Sequence, residues 1–216
     1  MKPQSVSTIS DLFKEVRKKG SRIFLMEPEV PAEWIEKVQF LKNEILDLVG
    51  DFIDHDEAFR RDKTNPLLTW ENVLFFINND IHETLNYIAA ADGKITPEES
   101  AFIKEVVGFG YGEKEIFSEA EALDREMMNE ESGKWSVIIY TLGYYAPDAA
   151  ERYIELLKKI GEIMVTYLSP QGKLNLLLCL YIYWKQQYRK ARTEYLEIQM
   201  FEKENDGKNG FDNCGR

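Results

Sequence analysis

Apolar residues along this chain recur at steps of three and four almost from end to end, and nowhere between Met1 and Lys203 do they alternate with period two long enough to require a strand. A step of three or four returns a side chain to the same face of a helix, so the pattern predicts an all-α bundle of about seven or eight helices. Ile9, Leu12, Phe13 and Val16 mark a first amphipathic helix, which Lys18-Lys19-Gly20 closes with positive charge and a terminal glycine. An extended linker, Ile23 to Val30, leads to Pro31.

From there Trp34, Val38, Leu41, Ile45, Leu48 and Phe52, widened by Ile35, Leu46, Val49 and Ile53, predict a long core helix that reaches Arg60-Arg61-Asp62-Lys63 and bends at Gly50. Asn65-Pro66 breaks the chain. Thr69 then caps a helix whose buried face is read as Trp70, Val73, Leu74, Ile77, Ile81, Leu85 and Ile88, and which Gly93 stops. Further helices are expected over Pro97 to Val107, Glu113 to Met128, Ser136 to Tyr144, Pro147 to Leu168 and Pro170 to about Lys203. The organisation expected is an N-terminal helix and linker over 1–30, one helical domain over 31–203, and a disordered tail over 204–216, where turn formers and charge leave little to bury.

Asp and Glu total 38 against 27 Lys and Arg, a balance of −11, so the averaged field repels phosphate backbones and argues against nucleic acid as a partner. Divalent cations and basic protein surfaces are what such a field attracts. The two cysteines, Cys179 and Cys214, are too few for a disulfide framework, which fits a reducing compartment. No apolar signal core stands at the N-terminus, and the longest apolar run, Leu176 to Trp184, has nine residues where a membrane span needs about twenty. A cytoplasmic protein that does not insert into a membrane is expected.

One stretch carries chemistry. In Asp92-Gly93-Lys94-Ile95-Thr96-Pro97-Glu98-Glu99 three carboxylates crowd a turn between two helices, and like charges so close call for a cation or the positive end of a helix. A divalent cation (calcium, magnesium, manganese or zinc) would take Asp92 and Glu99 as ligands, with Glu98 beside them. The same residues also spell out a helix start: Thr96 as cap, Pro97 at the first helical position and Glu99 closing a capping box. An EF-hand is rejected, because its first two acidic ligands would fall on Ile88 and Ala90.

The segment Ala89-Ala90-Ala91-Asp92-Gly93-Lys94-Ile95-Thr96-Pro97-Glu98-Glu99, which ends one apolar helix and opens another, resembles the signature of the TerB-like tellurite-resistance domain family over about residues 70–108. That resemblance implies an all-helical fold, often with two related helical halves, a divalent-metal link through Asp92, Glu98 and Glu99, and association with stress-response complexes at the inner face of the bacterial membrane. A second acidic loop would then be expected near Tyr167 to Leu174. There the chain departs from the pattern, with Gln171 in place of an aspartate and Leu178 in place of a glutamate.

Other constellations carry less. Gly108-Phe109-Gly110-Tyr111-Gly112 follows a helix and not a strand, so it is read as a connector, and His55 and His82 are read as solvated surface. In the apolar helix around Leu174 to Trp184, Tyr181, Tyr183 and Trp184 are the candidate partner anchors. The function expected is a non-enzymatic helical interaction module for a protein partner, one that can itself be membrane-associated, with a divalent cation at the acidic turn. The alternatives are a metal-assisted hydrolase using the same carboxylates and a purely structural scaffold.

Overall fold

The computed structural model describes residues 30–108, 112–128, 136–168 and 174–211. The helix expected around Ile9 to Val16, the linker before Val30 and most of the loop expected to echo the acidic turn lie outside them. Among the described residues the chain forms eight α-helices and no strand: α1 Ala32–His55, α2 Glu57–Arg61, α3 Trp70–Ala90, α4 Pro97–Val107, α5 Glu113–Met128, α6 Val137–Tyr145, α7 Pro147–Tyr167 and α8 Leu174–Phe211, with a 3-10 turn at Pro66–Leu68. The all-α expectation holds.

Local chemistry sets the boundaries. The helix expected to reach residue 63 is divided, because the Asp56 side chain accepts a hydrogen bond of 2.7 Å from the Phe59 amide and starts a new helix. That break turns Phe59 into the core. Gly50, expected as a bend, lies inside the continuous α1. A Cβ there would come within 2.8 Å of the Trp70 ring, so the glycine serves close approach. Asn65, Thr69, Thr96 and Ser136 each accept from a backbone amide at a helix or 3-10 start. Gly108 ends α4 with φ +81°, a left-handed conformation natural to glycine. The last helix continues to Phe211, beyond the boundary expected near Lys203.

Helices α3 and α7 pack against each other at the centre. Around them, α4 and α5 lie on α3, α1 lies on α7, and α6 and α8 close the remaining side. Leu85, Ile88, Tyr153, Ile154, Leu157 and Ile160 are fully buried between them. The expected face of α3 is buried at Val73, Ile77, Ile81, Leu85 and Ile88, while Trp70 and Leu74 at its start are 50% and 43% exposed, and Asp80 and Thr84 lie inside beside that face.

Gly161 marks the tightest approach at this centre. A Cβ on it would meet Leu177 Cδ1 at 2.5 Å and Ile88 Cδ1 at 3.0 Å, and both leucine and isoleucine are themselves enclosed. Gly161→Ala is therefore expected to destabilise the protein by about 1–3 kcal/mol, as overpacking does, despite alanine's better helix propensity. Denaturant unfolding of the two proteins checks this, and an alanine variant as stable as the parent would contradict it.

Candidate functional site

The acidic turn forms as a capped junction. Gly93 has φ +75° and closes α3 by donating to the Ala90 carbonyl at 3.0 Å, and Asp92 Oδ1 accepts from the Lys94 amide at 3.0 Å. Thr96 Oγ1 accepts from the Glu99 amide at 3.2 Å, while Glu99 Oε2 accepts from the Thr96 amide at 2.9 Å and its hydroxyl at 3.1 Å. Glu99 is 1% exposed; Asp92 and Glu98 face solvent. Two of the three expected ligands thus already neutralise backbone donors of the turn. A calcium-type shell needs six or more oxygens, and among the described residues no three His, Cys, Asp or Glu side chains converge on one point.

Beside this turn runs a groove of about 390 Å³, lined by Val30, Pro31, Trp34, Thr96, Glu98, Tyr167 and Leu168. Trp34 stacks on Tyr167 with ring centroids 4.8 Å apart, and Lys37 Nζ donates to the Tyr167 hydroxyl at 2.6 Å. The groove brings the acidic turn next to the start of the loop that was expected to echo it. Glu98 is the one carboxylate among the described lining residues.

A polar network that periodicity did not single out lies at the centre of the bundle. Asp80 Oδ2 accepts from Ser136 Oγ at 2.6 Å and from the Tyr153 hydroxyl at 2.7 Å. Ser136 Oγ also accepts from the Ile139 amide and so caps α6, and the Ser136 amide donates to Gln187 Oε1 at 3.0 Å. One carboxylate thereby joins α3, α6, α7 and, through Ser136, α8. A cavity of about 10 Å³ beside it, also lined by Glu83, Leu123, Leu180, Tyr183 and Trp184, has room for about one water molecule and none for a substrate. Its signal in the sequence is an aspartate three residues after Ile77 on an apolar helical face.

Burial pushes the Asp80 carboxyl up to about 7, against the opposing hydrogen bonds from Ser136 and Tyr153. Burial also raises the Tyr153 phenol well above its ordinary range.

His82, expected at the surface, is 3% exposed. Asn86 Nδ2 lies 3.0 Å from its Nε2 and donates to Glu119 Oε2 at 2.6 Å, while His82 Nδ1 lies 3.5 Å from the same Glu119 oxygen. Its position on the side of α3 that packs against α5 explains the burial, and burial lowers the imidazole to about 4. His55 is exposed as expected, with Nδ1 at 2.9 Å from the Asp51 carbonyl.

The three candidate partner anchors serve the bundle. Trp184 is buried at 5% exposure, Tyr183 packs against the core, and the Tyr181 hydroxyl donates to Glu155 at 2.5 Å with Lys158 and Lys185 over its ring. The exposed apolar residues of the same helix are instead Leu174, Leu178 and Ile182. Comparison with known proteins finds no matching family model, curated protein or solved structure.

Two predictions follow from this geometry. Glu99→Ala removes a buried half of the capping box and is expected to lower stability by about 1–2 kcal/mol, whereas Asp92→Asn, which keeps the turn-closing acceptor, changes it by less than about 0.5 kcal/mol. Thermal melts repeated with calcium, magnesium, manganese and zinc check both. Capping by itself predicts no metal dependence, and metal-dependent stabilisation that Asp92→Asn abolishes would show a cation held at the turn.

The second concerns pH. Folded Asp80 holds its proton more tightly than the unfolded chain, so its contribution to stability is full below its ordinary value of 3.8 and is lost as pH rises to about 7. Folded His82 holds its proton less tightly, so its contribution is full above 6.5 and is lost as pH falls to about 4. The two slopes oppose each other in the wild type. Relative to wild type, Asp80→Asn is expected to gain stability as pH rises through the first window, and His82→Gln to gain as pH falls through the second. Urea unfolding at a series of pH values measures these differences, and pH-independent differences would refute the burial of either group.

Proposed function

We propose that this chain is a non-enzymatic helical interaction module whose docking face is the outer side of α8 at Leu174, Leu178 and Ile182. The observation that carries the reading is their exposure, 61%, 52% and 50%, at positions four apart on one helix. Residues four apart on a helix are surface neighbours, so the three side chains form one continuous aliphatic ridge. The complement of such a ridge is an amphipathic protein helix presenting apolar residues at the same spacing. Arg189 and Lys190, exposed further along α8, favour a partner helix with acid groups at that end.

The resemblance of Ala89 to Glu99 to the TerB-like signature supports a role as a module within a cytoplasmic stress-response assembly, with a protein partner that is itself membrane-associated. Among the described residues no helix is long and apolar enough to cross a membrane. In this reading the acidic turn positions α4 against α3 and needs no cation. A hydrolase using the same carboxylates would need further polar ligands around the groove beside Glu98, and the described lining supplies Thr96 and Tyr167 hydroxyls in place of carboxylates or histidines.

Leu178→Glu combined with Ile182→Glu tests the proposal. Both side chains face solvent, so stability should change by less than about 0.5 kcal/mol each. A protein that co-purifies with the wild type from its own cells should be lost from the variant. Retention of the same partner by the folded variant would refute the docking face.

A further inference from the structure

Two depressions follow one another along the furrow between α1 and α7. The first is the groove of about 390 Å³ beside the acidic turn, and the second, of about 450 Å³, lies farther along α1 against Phe40, Leu41 and Ile163. Trp34 and Leu41 stand seven residues apart on α1, so at 1.5 Å per residue the furrow runs for roughly 10 Å. Its walls are apolar and partly open, with Phe40 63% and Tyr167 37% exposed. Its rim is acidic. Among the described lining residues Glu33, Glu36 and Glu98 stand against one cation, Lys37, whose ammonium donates to the Tyr167 hydroxyl and lies over the Tyr167 ring.

We propose that the occupant of this furrow is the chain's own segment 9–16, packed as an amphipathic helix with Ile9, Leu12, Phe13 and Val16 turned inward. Connection, size and charge select it. Val30 and Pro31 line the first depression, so the chain that precedes them leaves from the furrow itself. The fourteen residues from Val16 to Val30 span up to about 46 Å when extended, whereas Leu41 at the far end is about 15 Å along α1 from Pro31. A tether of that length holds the segment at an effective concentration of about a millimolar. Its apolar residues, at i, i+3, i+4 and i+7, cover roughly 10 Å of one helical face, the length of the furrow. A helix that short is marginal alone in water, so its apolar face needs a surface to form against. Charge agrees. Over residues 1–29, Lys2, Lys14, Arg17, Lys18, Lys19 and Arg22 outnumber Asp11, Glu15, Glu27 and Glu29, whereas the chain as a whole stands at −11. The most basic part of that stretch, Lys14 to Arg22, adjoins the apolar face and comes to the rim of Glu33, Glu36 and Glu98. The body of a second copy would bring acidic surface to an acidic rim. This contact is separate from the Leu174–Ile182 ridge, and neither depends on the other.

Hydrogen exchange on the full-length protein tests the proposal. The backbone amides of residues 9–16 should exchange about tenfold or more slower in the wild type than in Phe40→Glu. Phe40 is exposed, so that variant should keep the helical circular dichroism of the parent. Reversing the rim with Glu33→Lys, Glu36→Lys and Glu98→Lys should speed the same amides by about threefold or more at low salt. A cross-link reads the contact without placing charge in the furrow. In a Cys179→Ser, Cys214→Ser background, Leu12→Cys should form a disulfide within one chain with Phe40→Cys under mild oxidation, and not with Phe75→Cys, which is equally exposed at 63% on α3. Protection and cross-link should both persist on dilution. Amides 9–16 that exchange at the unprotected rate in the wild type overturn the proposal, as does protection that Phe40→Glu leaves intact. Protection that fades on dilution, or a disulfide that joins two chains, overturns it in favour of a second copy in the furrow.

Discussion

The carboxylate of Asp80 is the interaction on which the arrangement of helices depends. A charge or an unsatisfied acid buried at the centre of an apolar bundle is strongly unfavourable unless donors meet it, so the surrounding helices must adopt the one register that presents them. Ser136 Oγ and the Tyr153 hydroxyl do so within 2.7 Å. Ser136 can serve only if it sits at the start of α6, where it also caps the helix, and its amide is held by Gln187 of α8. A slip of α7 by one turn would cost the acid one of its two donors, and a slip of α8 would leave the Ser136 amide without its acceptor. Apolar packing alone tolerates such slips far better, because one leucine replaces another with little loss.

Close approach of the helices then completes what the hydrogen bonds select. Gly161 lets Leu177 of α8 and Ile88 of α3 meet over α7, and Gly143 lets α6 come against Ala191 and Tyr188. Both contacts lie on the inner face of α8, which explains why that helix is apolar around much of its circumference yet buries only one seam. Among the described residues, apolar side chains on its outer ridge and beyond Tyr195 stay about half exposed or more.

Much of this was legible from periodicity and capping chemistry, because both are local. The start of α4 at Thr96-Pro97 and the Glu99 capping box were readable from four consecutive residues, and the helix order followed from apolar spacing. What the sequence could not show is which of several helical faces turns inward, since that depends on neighbours distant in the chain. Val73, Ile77, Ile81, Leu85 and Ile88 turn inward as their spacing predicts, but Trp70 and Leu74 share that spacing and stay exposed, while the polar Asp80 and Thr84 are buried with the apolar face. His82 was misplaced for the same reason: a lone polar residue reads as solvated until α5 is known to cover it. The aromatic rings of Tyr181, Tyr183 and Trp184 mark them as candidate anchors, whereas the large exposures on this part of α8 fall on the aliphatic Leu174, Leu178 and Ile182.

The acidic turn shows why a chemical motif and a structural one are hard to separate by composition. Carboxylates gather at helix starts because the first amides lack acceptors, and they gather at cation sites because the ion lacks ligands. What separates the two cases is where the oxygens are spent. Glu99 turns inward to its own backbone and is closed off from solvent, and Asp92 closes the turn onto Lys94, so the negative charge is met by amide donors and by the positive end of α4. Asp92 and Glu99 thus each serve the backbone of their own turn, and the exposed apolar residues of α8 offer a separate surface on which function can rest.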